Sequence, residues 1–327
     1  VEIIKHPDRN FWWKVASSCE YATFLQSPLW TELVCRSYDN LREATIGAVL
    51  DSGTRLVLPL VEAPSARGTM RALESTWNWS PGGVIADGPV EAAEIESLYR
   101  SLRSWRLGEA VFTGNPHSPL PDPLRQRGWK VQEDFSQILP LSGDLDSIVG
   151  GFERRHRKAL RSATRAGVTV RRGGSLEDYE AHYQAYLASY ERWSAKWAPA
   201  LPWRLFETCH TMSVENPNHV ALWLAEVDGG FASGAILFYW NRFVVAWHAA
   251  AHEEFFKYSP NNALHPEIMR DALDRGMSCY DFNPSGGQDG VVNFKAGFGA
   301  QKRFFKRATY SHRVLSLIRA LGKGLSK

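Results

Sequence analysis

Lys295 lies in the run Val291-Val-Asn-Phe-Lys-Ala-Gly-Phe-Gly-Ala300, flanked by Phe294, Gly297, Phe298 and Gly299. Glycines allow backbone and ligand to approach closely. In so apolar a setting a lysine can neutralise a phosphate or the oxyanion of a tetrahedral intermediate. Just upstream, Asn283-Pro-Ser-Gly-Gly-Gln-Asp-Gly290 carries Gly286, Gly287 and Gly290, which predicts a mobile loop able to close over a substrate. Asp281, in Tyr280-Asp-Phe282, is expected at a strand end, where its carboxylate either orients an amine or serves as a cap or loop hydrogen bond.

Two further stretches suit anions. In Lys257-Tyr-Ser-Pro-Asn-Asn262, Ser259 is expected to cap a helix and Pro260 to occupy its first position. Such a start, with Asn261 and Asn262 in the first turn and Lys257 beside it, offers free amides to an anion. The second stretch is predicted as one helix from Asp146 to Ala166, with Ile148, Phe152, Ala159 and Ala163 on its apolar stripe. Arg154, Arg157, Lys158, Arg161 and Arg165 crowd the rest, and eight Lys/Arg with no acid fall between Arg154 and Arg172. That density suits phosphates, although a solvated helix face is the plainer explanation.

Attack by an amine on an ester or thioester requires a deprotonated amine, a polarised carbonyl and a route for the proton. Trp247-His-Ala-Ala-Ala-His-Glu-Glu254 offers His248 as a base, or as a ring packed among aromatics. His248 and His252 would share a face on a helix, but Phe243 to Ala251 reads as strand, so no metal pair is expected. The proton can also leave through a substrate group.

Elements that position these groups follow from turn chemistry and periodicity. Thr45 to Leu60 reads as strand, turn at Asp51 and Gly53, strand; Ala221 to Trp240 repeats the plan 177 residues later with Asp228 and Gly230. A helical pattern and a short strand follow each: Ala92 to Trp105 before Ala110-Val-Phe112, and Leu264 to Arg275 before Cys279 to Phe282. Strands alternating with helices predict an α/β fold with mixed sheets. Ser175-Leu-Glu-Asp178 marks a capping box at the start of a further helix bearing Tyr179, Tyr183, Tyr186 and Tyr190.

At 327 residues two domains are expected, divided as 1–145 and 146–310 with a tail at 311–327. The net charge of +3 conceals 14 Lys+Arg against 19 Asp+Glu up to residue 150, and 24 against 16 beyond it, so an anionic partner belongs to the second half. In the tail Val314, Leu315, Leu317, Ile318 and Leu321 alternate with Arg313, Arg319, Lys323 and Lys327. This predicts a basic amphipathic helix that packs on its domain or touches anionic lipid or nucleic acid. Cys19, Cys35, Cys209 and Cys279 are scattered, giving neither disulfide framework nor zinc site, and neither a leader nor a membrane-spanning run is seen, so a cytoplasmic protein is expected.

The runs Ser259-Pro-Asn-Asn-Ala-Leu264, Tyr280-Asp-Phe282 and Phe294-Lys-x-x-Phe-Gly-Ala300 resemble the second domain of FemAB-like proteins, which are tandem GNAT-fold transferases. Arg154, Arg157, Lys158, Arg161, Ala163 and Gly167-Val168 resemble the opening of that domain, and Ser27-Pro-Leu-Trp30 and Leu58-Pro-Leu60 resemble pieces of the first. The resemblance implies two tandem GNAT-like domains and transfer of an acyl or aminoacyl group to an amine, with the acceptor received in a cleft between domains. It implies that Phe294 and Lys295 contact the donor and that Asp281 is the strand-end aspartate. Acyl-CoA-dependent GNAT proteins present a glycine-bearing loop where this chain has Lys257-Tyr-Ser-Pro-Asn-Asn-Ala263, so aminoacyl-tRNA is the expected donor and acyl-CoA the alternative, with no tightly bound cofactor. A non-catalytic nucleic-acid-binding role on the same scaffold is the reading from another class. The coiled-coil insertion of some cell-wall members has no counterpart between Ser175 and Asn218, which leaves a small-molecule or cell-envelope-precursor amine as acceptor.

Overall fold

The computed structural model describes residues 1–65, 69–77, 80–102, 107–120, 128–192 and 199–312. The chain divides into two compact units, one made of Val1–Phe135 with the segment from Arg303 onward, the other of Ser136–Lys302. The expected division at residues 145 and 146 differs from this partition. A strand running Trp129–Pro140 contributes to both units, and the first unit takes back chain after the second is complete. The basic tail expected at 311–327 lies, from Arg313 on, outside the described residues.

In the first unit, β1 (Glu2–Lys5), α1 (Arg9–Ser18), α2 (Pro28–Ser37), β2 (Arg42–Glu43), β3 (Ile46–Val49), β4 (Arg55–Leu58), β5 (Val61–Ser65), β6 (Met70–Ser75), β7 (Ile85–Ala86), α3 (Ala92–Ser101) and β8 (Leu107–Thr113) follow in order. The expected hairpin is β3 and β4, with Gly53 left-handed at its turn. Strand β6 pairs in parallel with β8 across the α3 crossover, from Arg71↔Leu107 to Ser75↔Phe112. The pair is zipped to its end, because Thr113 N donates to Ser75 Oγ at 2.9 Å.

The second unit begins in β9 (Trp129–Pro140) and continues with α4 (Leu145–Gly150), α5 (Arg154–Arg165), β10 (Thr169–Gly173), α6 (Leu176–Arg192), α7 (Trp203–Glu215), β11 (Val220–Val227), β12 (Gly230–Trp240), β13 (Phe243–Ala251), α8 (Pro260–Asp274), β14 (Cys279–Asp281) and α9 (Asp289–Ala296), ahead of β15 (Gln301–Ser311). Its strands run β10-β11-β12-β13-β14-β9, antiparallel except for β13 and β14. The β11–β12 hairpin turns on Asp228 and Gly229, both left-handed, as a two-residue primed turn requires. The turn glycine is therefore Gly229, and Gly230 already belongs to β12.

Alternation along the strands assigns the faces. Ala221, Ala225, Ala235, Leu237, Tyr239, Val244 and Ala246 pack with Leu264, Ile268, Met269 and Ala272 of α8. Burying each large apolar side chain there stabilises the unit by about 1.5–3 kcal/mol. Alternate residues, including Leu222, Leu224, Ile236 and Phe238, are buried on the other face, where α6 and α7 lie.

The single helix expected from Asp146 to Ala166 is in fact two. Gly151 ends α4, Phe152 turns into the core at 1% exposure, and Glu153 N donates to Gly297 O at 2.9 Å before α5 begins. Arg157 stabilises the break: its guanidinium donates to Gly150 O at 2.9 Å and also to Phe152 O. Charged donors satisfy carbonyls that a helix end leaves open.

Candidate active site

Strands β13 and β14 pair only from Phe243↔Cys279 to Val245↔Asp281. Beyond that point β14 turns away while β13 continues to Ala251, so the sheet opens into a wedge. At the same point β13 carries a bulge: Ala246 pairs with Leu237 and His248 with Ile236, leaving Trp247 over. The extra residue puts Trp247 and His248 on the same α6–α7 face, where Trp247 meets Phe238 and His248 meets Tyr186 and Phe206. With regular alternation His248 would follow Val244 and Ala246 towards α8.

Polar groups converge at the base of the wedge. Asp281, 2% exposed, accepts from the Ser136 hydroxyl and from Asn283 N at 2.8 Å. Its carboxylate is thus turned into the protein, where it fixes the chain reversal after β14. Asn283 is left-handed, donates through Nδ2 to Trp247 O at 3.4 Å across the wedge, and accepts from Lys295 Nζ at 2.6 Å on its backbone oxygen. Lys295 also reaches Pro284 O at 3.3 Å. Lys295 is 8% exposed, and burial pushes its pKa down to about 8 against the opposing pull of Asp281. Asn283 Oδ1 is buried and unpartnered.

The expected loop through Gly290 is shorter than its glycines suggest. Gly286 and Gly287 make left-handed turns, but Gly290 falls within α9, which presents Phe294 and Lys295. Phe294 packs on His156, His265 and Phe298. His156 takes a hydrogen bond from Asn262 (2.9 Å), and His265 pairs with the Tyr280 hydroxyl (2.8 Å). Burial lowers the His265 pKa to about 3 and lowers that of His156, so this aromatic layer is neutral around one ammonium.

Ser259 does not cap α8. It is itself left-handed, its side chain makes no cap hydrogen bond, and Pro260 takes the first helical position as expected. Asn262 is committed to His156, while Asn261 is half-buried with Oδ1 unpartnered. Lys257 is exposed on a short 3-10 turn over the Tyr258 ring at 4.9 Å. Of the basic helix, Arg157 is engaged by the carbonyls of the α4 break. Arg154, Lys158 and Arg161 are exposed and form no ion pair among the described residues. Arg155 instead ties α5 to α9 through Asn293 O at 2.8 Å. Among the described residues no three His, Cys, Asp or Glu are placed to hold a metal ion, and no helix is long and apolar enough to cross a membrane.

Sequence reasoning did not single out Ser136, His156, His182, His265 or Asn283. For Asn283 a signal existed: Phe112-Thr-Gly-Asn-Pro116 and Tyr280-Asp-Phe-Asn-Pro284 both put Asn-Pro just after the second strand of a parallel crossover. In the first unit Asn115 is fully served, donating to Tyr21 O at 2.8 Å and accepting from His117 N at 2.9 Å. For His182 the signal was its place on the face of α6 that buries Tyr179 and Tyr186.

Residues 151–296 match the family model for an acetyltransferase (GNAT) domain. Solved structures similar to the chain include FemX (15% identity, TM-score 0.69, covering 94% of this chain and 97% of that one). A tandem GNAT protein from the clavulanic acid biosynthesis pathway, solved without AcCoA, is similar at 14% identity and a TM-score of 0.55, covering 95% and 98%. L-PGS from Bacillus licheniformis follows at 12% identity and 0.52, covering 99% and 98%. No curated protein matches the sequence. Wedge, bulge, α8 and α9 all lie within the matched segment, and the likeness to FemX spans both units. The chain thus has a tandem GNAT fold like that of FemX, with residues 151–296 matching the acetyltransferase (GNAT) domain model.

Proposed function

We propose that the chain is an N-acyltransferase that forms an amide by moving an aminoacyl group from aminoacyl-tRNA to the amine of a small-molecule or cell-envelope acceptor in the cytoplasm, without a tightly bound cofactor. The observation that carries this reading is the wedge between β13 and β14, with the buried Lys295 ammonium fixed at its base. Two of its N–H groups are used by Asn283 and Pro284, and the third remains for a carbonyl oxygen or phosphate of the donor. Asp281 and Ser136 act through Asn283, whose turn they hold.

Donor choice rests on α5. Arg154, Lys158 and Arg161 offer three uncommitted cations to a polyanion. Changing all three to alanine should reduce the slope of log K against log salt for tRNA by about 2 to 3, as each lost phosphate contact removes about 0.7–0.9. An unchanged slope in a filter-binding titration counts against the tRNA assignment. Acyl-CoA is the second reading, favoured by the match to an acetyltransferase model. Transfer measured by mass spectrometry from charged tRNAs and from acyl-CoAs decides between them, and transfer from neither defeats both. A nucleic-acid-binding protein without catalysis would lose RNA affinity, but no turnover, when Lys295 is replaced.

A further inference from the structure

His182 and His248 form a buried pair outside the Lys295 network: His182 Nε2 lies 2.9 Å from His248 Nδ1. Burial keeps both rings neutral, with the His248 pKa lowered to about 4 and that of His182 well below its usual value. One proton therefore occupies the bond, and the surroundings of His182 decide whose it is. Its Nδ1 is buried without a partner and lies against Gly234, where even a Cβ would come within 2.8 Å. A buried N–H with no acceptor is among the rarest features of folded proteins, and a bare lone pair is tolerated better. His182 accordingly carries its hydrogen on Nε2 and donates it to His248 Nδ1. His248, whose Nδ1 then has no hydrogen, must carry one on Nε2. His248 is half-buried, while His182 is fully buried.

We infer that His248 presents an N–H to the acceptor substrate and binds an uncharged oxygen, a hydroxyl or carbonyl close to the reacting amine, with His182 as the positioning residue that fixes this tautomer. This rests on the transferase reading above. Three observations place the contact. The bulge at Trp247 turns His248 to the α6–α7 face, away from α8, and the wedge leaves this stretch of β13 paired on the β12 side. Around the ring, Tyr186, Phe206 and Trp247 bring aromatic surface and no charge, which suits a neutral polyhydroxylated or peptide-like acceptor better than a carboxylate. On this inference the outward nitrogen of His248 is a donor rather than a base.

The test uses the full chain labelled with nitrogen-15 at histidine. Long-range proton–nitrogen spectra should show His248 with hydrogen on Nε2 and a bare Nδ1, and a hydrogen on Nδ1 overturns the inference whatever the enzyme's activity. Glucosamine and cyclohexylamine, matched in ring size, then probe the oxygen contact. The wild type should favour glucosamine about a hundredfold in kcat/KM. His182→Phe should reduce that preference to a few-fold and scramble the His248 tautomer, and His182→Gln, which keeps an N–H at the same reach, should restore both. Equal use of the two amines, or use of neither while another amine is acylated, defeats the oxygen contact. Failure to acylate any amine defeats the transferase reading instead, and leaves the tautomer to the spectra.

Discussion

Lys295→Ala is expected to lower kcat by about 10²–10³-fold with donor affinity changed only a few-fold, the size of effect seen when one oxyanion donor is removed. Lys295→Met should behave alike, because it keeps the buried stem and loses only the charge. Lys295→Arg should not rescue, since a planar fork cannot repeat the two carbonyl contacts to Asn283 and Pro284. Single-turnover kinetics measure this directly, and kcat within threefold of wild type in the methionine variant would remove Lys295 from the chemistry. The pH dependence has opposite signs for activity and stability. Turnover that uses the ammonium falls as pH rises through about 8, where the folded protein loses that proton. Between there and the ordinary lysine value of 10.5 the unfolded chain binds more protons than the folded one, so the contribution to stability rises with pH. Activity lost across that window without loss of fold is the expected signature.

Gly297→Ala should destabilise the second unit by about 2–4 kcal/mol, towards the upper end of overpacking effects. The glycine follows α9 with ordinary helical backbone angles (φ −63°, ψ −18°), so alanine costs nothing in conformation. The cost comes from His156: a Cβ would fall well inside contact of its Nε2 and Cδ2 and 2.9 Å from Cε1. The imidazole would have to leave its place between Phe294 and Phe298 and its hydrogen bond with Asn262. That moves α5, α8 and α9 together, the elements that surround Lys295. Urea denaturation gives the magnitude, and a change below 0.5 kcal/mol would mean the layer repacks freely. His156→Ala in the Gly297→Ala background should recover part of the loss, as neighbouring sites do not add.

Periodic and punctuated features were legible in the chain: the hairpin turns, the capping box at Ser175, the start of α8 at Pro260 and the crossover helix before Tyr280. Ser175 and Asp178 do exchange their box hydrogen bonds, Asp178 N to Ser175 Oγ at 3.2 Å and Ser175 N to Asp178 Oδ2 at 3.2 Å. Features set by tertiary contact were not legible. The stripe from Ile148 to Ala163 concealed the break at Gly151, because Phe152 keeps helical spacing while belonging to a turn. Ser259 has the composition of a cap but sits at a left-handed position where its hydroxyl cannot reach the first turn. Arg157 looked like its cationic neighbours until the α4 carbonyls claimed it. His182 has meaning only through a partner 66 residues away on β13. Residue type pointed to Lys295, and only the bulge in β13 showed which way His248 faces.

The matching Asn-Pro sequences after β8 and β14 bear on how the two halves of the chain came to differ. In one copy the parallel strands stay zipped and the asparagine amide is spent on the backbone of Tyr21 and His117; in the other the strands part and one amide oxygen is left over. An ancestral repeat holding the same opening in both halves would have had two equivalent sites. On the proposed function, closing the first confines the donor to the second half and frees the surface of the first to diverge, while the second keeps its site.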